Sequence, residues 1–421
     1  MNRRPPHEPT RVFHPSQRLH DDASRHALWL GCPGCPDFKY CQGLHTEASI
    51  FDCNDLCSCE DRTKCDMVCR NKPEEFFERL MEVDGFDLAT VPRVAPVVLA
   101  ALPDFVPLIG HKYSRTKTLV EPVVAVPLYE LFHMGTGEPH VRTRSELAQR
   151  FRISTDTNVV VTGVDRDAKV EAWWAFADRE RAIQTLRNLG IALVTTPNYS
   201  LFTNVPRPDN LHGMKRIALS WAEVMGLGVA AALHLNARTD HDYARWTKFV
   251  AERPEVTIVA FEFATGAGYS ERLEWHVDRL CALATAAGHE LTLIVRGGAR
   301  AMTRLRANFR QVILIETDPF SRALKRRRAV ITESGRLRWT RMLTPKGESI
   351  DDLLAHNIIT VRTARTQYGQ LSRPARLPIQ RPAKHADRQP DQLSLVPELD
   401  ATLQGRAMPA NRKRVIATAK A

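Results

Sequence analysis

From about Pro96 onward, short β-branched apolar runs alternate with amphipathic segments of helical length. The runs VVAVPLY (123–129), NVVVTGV (158–164), IALVTTP (191–197), GVAAALHL (228–235), VTIVAFEF (256–263), LTLIVRG (291–297) and QVILIET (311–317) read as strands. PVVLAAL (96–102) reads as an earlier one. Each run is almost wholly apolar, which predicts a parallel strand buried on both faces rather than a half-solvated one. Between them DRERAIQTLRNLG (178–190), NLHGMKRIALSWAEVMGLG (210–228), DYARWTKFVAERP (242–254) and SERLEWHVDRLCALATAAG (270–288) read as helices. Gly190 reads as the cap that ends the first of these.

Seven or eight such strands in one series, each followed by a helix, predict an α/β fold of the (β/α)8 TIM-like barrel type. A doubly wound nucleotide-binding sheet is the competing architecture. Neither G-x-G-x-x-G nor G-x-x-x-x-G-K-[ST] follows any of the strands, which argues against dinucleotide and nucleoside-triphosphate sites.

The regions flanking the barrel have a different character. Residues 1–30 are polar and read as a flexible N-terminal segment, 31–72 as a cysteine-rich module, 73–345 as the barrel and 346–421 as a basic, largely disordered tail. From Leu371 to Ala421 there are ten Lys/Arg against four Asp/Glu. A second basic cluster, RALKRRR, runs from Arg322 to Arg328. With a net charge of +11, this clustering predicts a nucleic-acid partner held by phosphate neutralisation, against the alternative of a solubilising tail and a solvated helix face. No run approaches the roughly 20 apolar residues that a membrane helix needs. The opening MNRRPPHEPTRVFHP lacks the apolar stretch of a secretory signal, so the cytoplasm is the expected compartment.

A reducing compartment changes the meaning of the cysteines. Cys32, Cys35 and Cys41 are spaced C-x2-C-x5-C, and Cys53, Cys57, Cys59, Cys65 and Cys69 follow as C-x3-C-x-C-x5-C-x3-C. Eight thiols in a polar segment have no core to bury them. Thiolates so crowded repel one another unless a cation neutralises them, so the segment is expected to bind metal. Zinc would make it a structural knuckle, and an iron–sulfur cluster, slightly favoured, would use the same ligands. The spacing matches no standard catalytic signature. His45 is a spare ligand or a solvated loop residue. Cys281, in the helical DRLCALA, reads as core.

In a barrel, chemistry belongs at the C-terminal ends of the strands. Polar residues gather there: Asp165, His234, Asn236, Glu262, Glu316 and Asp318 are candidates for acid–base or nucleophilic work. Asn198 and Arg238 are candidates for holding a substrate, and Arg296 with Gly297 and Gly298 is a candidate phosphate cradle. The bland alternative is that strand ends are polar because they meet water, with carboxylates paired to arginines.

The stretch from the Trp173–Trp174 pair through LVTTPNYSLFTNVPRPDNLHGMKRIALSWAEVMGLGVAAALHLN resembles an uncharacterised bacterial and phage family over roughly 158–300. Thr196-Pro197-Asn198-Tyr199-Ser200-Leu201 and Asn210 carry the likeness, with Asn198 where that family has Asp. More distantly, LTLIVRGG followed by VILIETDPFSRALKRRR is similar to the late strands and basic helix of the tRNA-guanine transglycosylase superfamily. That resemblance implies a base-exchanging barrel with a carboxylate nucleophile, for which Asp165, Glu262 and Asp318 are the candidates. Zinc cysteines in that superfamily follow the barrel, whereas here the cluster precedes it. Three functions therefore stand: an enzyme modifying nucleic-acid bases, a non-catalytic nucleic-acid-binding protein of a phage or mobile element with a zinc knuckle, or an iron–sulfur redox or radical enzyme acting on a small molecule.

Overall fold

The computed structural model describes residues 79, 81–111, 115–201, 207–264, 266–268, 270–343 and 347–368. The cysteine segment and the chain beyond 368 lie outside them, so the metal ligands expected there, and most of the expected tail, are not described. Among the described residues no helix is long and apolar enough to cross a membrane.

Strands and helices alternate along the chain. β1 (Phe105–Pro107) and β2 (Val123–Pro127) precede α1 (Arg144–Phe151), β3 (Asn158–Thr162), α2 (Asp167–Trp174), α3 (Arg179–Asn188) and β4 (Leu193–Thr195). Then come α4 (Arg207–Gly226), β5 (Ala231–His234), α5 (Asp240–Ala251), β6 (Ile258–Glu262), α6 (Ser270–Ala286) and β7 (Thr292–Arg296). α7 (Met302–Arg306), β8 (Gln311–Glu316), α8 (Asp318–Leu324), β9 (Arg327–Ile331), β10 (Leu337–Arg341) and α9 (Asp351–Thr363) complete it. Gly190, at φ +65°, takes the left-handed conformation expected just past α3.

The first eight strands form one parallel sheet in the order β1-β8-β7-β6-β5-β4-β3-β2. Its two edges meet through a parallel bridge, Leu108 to Ala125, and the Ile109 N–H donates to the Ala125 carbonyl at 2.9 Å. The result is a nearly closed barrel, as the series of apolar runs predicts.

Two parities along each strand build two cores. Val106, Val123, Ala125, Val160, Leu193, Ala232, Ile258, Ala260, Ile294, Ile313 and Ile315 fill the barrel interior. The alternate positions, among them Val124, Val159, Leu233, Val259, Leu293 and Leu314, pack outward against the helices. Both faces of each strand leave water, at roughly 1.5–3 kcal/mol for each large aliphatic side chain, which is why the sequence runs are continuously apolar.

Two expectations are corrected. PVVLAAL is not a strand: it opens on Pro96, which has no N–H to donate, and Val98 is 92% exposed. The segment instead sets Leu102 into the interior core with Val97 and Leu99 against it, and the first strand is the shorter Phe105–Pro107. The barrel domain also outlasts residue 345. α9 buries Leu354, Ile358 and Val361 completely, and Asn357 ties it to the Pro319 and Arg327 carbonyls and the Ala329 N–H.

Candidate active site

Strand parity decides which polar residues face the barrel axis. Ala232, Ala260 and Ile294 belong to the interior core. His234, Glu262 and Arg296, each two residues further along, therefore turn inward at the C-terminal ends of β5, β6 and β7. Thr162 follows Val160 on β3 by the same count. These three adjacent strands and β3 ring the barrel mouth with a buried polar layer.

Within it, Arg296 Nε lies 3.0 Å from Glu262 Oε2. The contact is an ion pair without linear hydrogen-bond geometry, since neither atom completes a hydrogen bond among the described residues. The other carboxylate oxygen accepts from the Ala264 N–H at 2.7 Å. Burial pushes the Glu262 carboxyl above its ordinary range, with the Arg296 charge and the Ala264 N–H opposing that shift. Arg296 also donates through Nη1 to the Val164 carbonyl, 3.3 Å away just past β3. Since β3 and β7 lie opposite each other in the closed strand order, the guanidinium spans the mouth.

His234 is 3% exposed. Its Nδ1 lies 2.7 Å from the Thr196 carbonyl, and its backbone N–H donates to Thr196 Oγ1 at 3.1 Å. A carbonyl can only accept, so Nδ1 carries the proton and Nε2 is the basic nitrogen. Burial brings its pKa down to about 4; the nearby Arg296 charge works the same way, and the Thr196 bond opposes. At neutral pH this imidazole is uncharged.

Gly163 holds the opposite rim close. A Cβ there would meet the Thr196 carbonyl oxygen at 2.5 Å and Pro197 N at 2.6 Å. Only glycine lets the end of β3 approach the end of β4, where its N–H donates to the Thr195 carbonyl and hydroxyl. Its own carbonyl accepts from Tyr129 Oη at 3.0 Å and from the Asn198 N–H at 3.0 Å. Among the described residues, Thr162 Oγ1 and Asn198 Oδ1 are buried without a hydrogen-bond partner.

The other candidates lie apart from this layer. Asp165 pairs with Lys169 at 2.8 Å at the start of α2. Glu316 has the outward parity of Val312 and Leu314 and pairs with Arg365 at 2.9 Å, so it does not enter the mouth. Asp318 pairs with Arg322, one helical turn on, at 3.2 Å. Arg238 braces the loop after β4, its Nε donating to the Leu201 carbonyl at 2.7 Å. Asn236 Nδ2 similarly donates to the Tyr199 carbonyl at 2.8 Å. Gly297 and Gly298 have φ +74° and +69°, and Cβ atoms there would meet Ala264 N at 2.8 Å and the Phe263 ring at 2.5 Å. Their identity follows from that close packing without any phosphate. Asp165, Glu316 and Asp318 are thus each paired with a cation, as strand-end carboxylates commonly are.

Sequence reasoning missed Thr162 and the carbonyl of Val164. The Thr-Gly that interrupts NVVVTGV was the available signal for both. Among the described residues there is no group of three His, Cys, Asp or Glu arranged to hold a metal ion. No protein-family model matches the chain, and no curated protein sequence matches it.

Proposed function

We propose that the protein is an enzyme acting on nucleic acid, modifying or exchanging a base, with His234, Glu262 and Arg296 as its catalytic centre. The observation that carries this reading is the pair of buried polar atoms without a hydrogen-bond partner, Thr162 Oγ1 and Asn198 Oδ1, beside the buried Glu262–Arg296 ion pair at one barrel mouth. A buried group without a partner costs about 1–3 kcal/mol, and a polar ligand entering the mouth would recover that cost. Glu262, with its carboxyl raised by burial, suits proton transfer or nucleophilic attack, and the neutral His234 suits proton abstraction through Nε2. Arg296 suits orienting the carboxylate and an electron-rich ligand edge. The net charge of +11 supports nucleic acid as the substrate class. The resemblance to base-exchanging barrels agrees with this reaction type.

The eight cysteines of 32–69 support a metal centre of zinc or an iron–sulfur cluster in the same chain, in a structural or auxiliary role. A second reading, non-catalytic nucleic-acid binding, draws on one observation: the Arg296 guanidinium already spans the mouth to Val164. Incubation of the full chain with DNA and RNA, followed by nucleoside mass spectrometry, separates the two. The enzyme reading expects an altered base that Glu262→Gln abolishes while nucleic-acid affinity is kept. Unchanged nucleosides with every substrate would favour the second reading, and a normal rate in Glu262→Gln would remove that residue from the centre.

A further inference from the structure

The run Arg322–Arg328, expected as one basic helix, divides instead. α8 ends at Leu324, and Arg327 opens an antiparallel hairpin of β9 and β10 that stands apart from the barrel sheet. We propose that this hairpin is the surface on which the protein grips the phosphate backbone of nucleic acid. The inference rests on nucleic acid being the partner, though not on the barrel mouth being catalytic.

The register sets arginine against arginine. Arg341 lies directly opposite Arg327, and Arg338 lies opposite Val330, with Thr340 opposite Arg328. Like charges placed directly across a strand pair destabilise it. All five hairpin arginines, Arg327, Arg328, Arg336, Arg338 and Arg341, are exposed. Among the described residues none of them forms an ion pair with a carboxylate, and Arg328 Nε lies 3.1 Å from His356 Nε2. The only acidic residue between 325 and 341 is Glu333, in the turn.

Several arginines elsewhere in the fold do have carboxylate partners. Arg115 meets Asp351, Arg179 meets Glu223, and Arg304 bridges Glu274 and Asp278. Five exposed arginines without a carboxylate partner, crowded on one two-stranded ribbon, leave a field for an external polyanion.

The ribbon is also a fixed platform. Asn357 of α9 accepts the Ala329 N–H at 2.8 Å and donates to the Arg327 carbonyl at 2.9 Å. On the same face Leu337 and Trp339 pack against the core, and Arg322 lies over the Trp339 ring at 5.5 Å. The opposite face carries Arg328, Arg336 and Arg338 outward by strand alternation. A ribbon backbone already fixed in place loses little freedom when phosphates arrive.

The test measures binding of the full chain to a fluorescently labelled DNA duplex across a salt series. In Arg328→Ala/Arg336→Ala/Arg338→Ala/Arg341→Ala the slope of log affinity against log salt should shrink by about 2–4, at roughly 0.9 for each phosphate no longer neutralised. Affinity at 100 mM salt should fall by at least about 30-fold. The four corresponding lysine substitutions should retain most of the slope, since they keep the charge. Arg304→Ala, on a paired arginine away from the hairpin, should bind as the wild type does. An unchanged slope in the alanine variant would overturn the proposal. So would wild-type protein that binds phosphatidylserine vesicles but no nucleic acid. Loss of binding in the alanine variant, in a protein that alters no base, would leave the hairpin standing and remove the enzyme reading.

Discussion

Arg296, at the end of β7, donates to the carbonyl of Val164, just past β3, across the full width of the barrel mouth at 3.3 Å. The same guanidinium lies 3.0 Å from Glu262 on the neighbouring strand, so one side chain both spans the opening and neutralises its buried carboxylate. The positive charge beside His234 also favours the neutral imidazole. The three residues therefore form one electrostatic unit, and substitutions within it should not act independently.

Arg296→Met should lower the unfolding free energy by about 3 kcal/mol, because it leaves Glu262 buried beside no cation. Adding Glu262→Gln removes the stranded charge, so the double variant should be less destabilised than the sum of the two singles. Urea denaturation of the four proteins checks this. Strict additivity would show that the ion pair is not coupled.

His234 gives stability a dependence on acid. Its pKa is about 4 in the fold against an ordinary value of 6.5. The unfolded chain takes up the proton first as the pH falls. The contribution of the neutral imidazole is therefore complete above about 6.5 and is lost progressively down to about 4, amounting to about 3 kcal/mol. His234→Gln should flatten that part of the stability–pH curve. An identical slope in variant and wild type between pH 6.5 and 4 would show that His234 is not the group responsible.

Asp351 behaves as a clamp at the start of α9. It accepts from the Thr116 and Lys117 backbone N–H groups at 2.6 and 2.9 Å and from Arg115 Nε at 3.2 Å. Burial works to raise its pKa, but bonds from Ser349, Lys117, Thr116 and Arg115 together outweigh that and hold it at about 2. Its contribution is thus present above the ordinary value of 3.8 and disappears as the pH falls towards 2. Asp351→Asn should cost about 3 kcal/mol at pH 7 and very little at pH 2, measured by thermal unfolding at both. An equal loss at both pH values would place the effect in packing rather than charge.

Protein purified without oxygen should carry metal bound through Cys32–Cys69. Iron with visible absorption would identify an iron–sulfur cluster, and colourless protein with zinc a structural site. Serine at Cys32 and Cys35 should reduce the bound metal while the urea transition of the barrel stays in place. Metal-free wild-type protein would end this assignment.

The barrel was legible because a parallel strand covered on both faces must be apolar at every position, and seven of the eight strands have that signature. β1 was not, because three residues bridging β8 and β2 carry too little pattern, while the apolar PVVLAAL, bounded by Pro96 and Pro103, imitates a strand. Among the site residues, His234, Glu262 and Arg296 could be named from strand ends alone. So could Asp165, Glu316 and Asp318, which the fold pairs with Lys169, Arg365 and Arg322. A continuously apolar run does not reveal which of its two parities faces the barrel axis, and that parity separates Glu262 from Glu316. Strand positions and the polar character of their ends thus follow from local pattern and solvation. Which side chains meet at the mouth, and which arginines of Arg322–Arg341 go unpaired, depend on register and on packing between residues distant in sequence, so only the tertiary structure decided them.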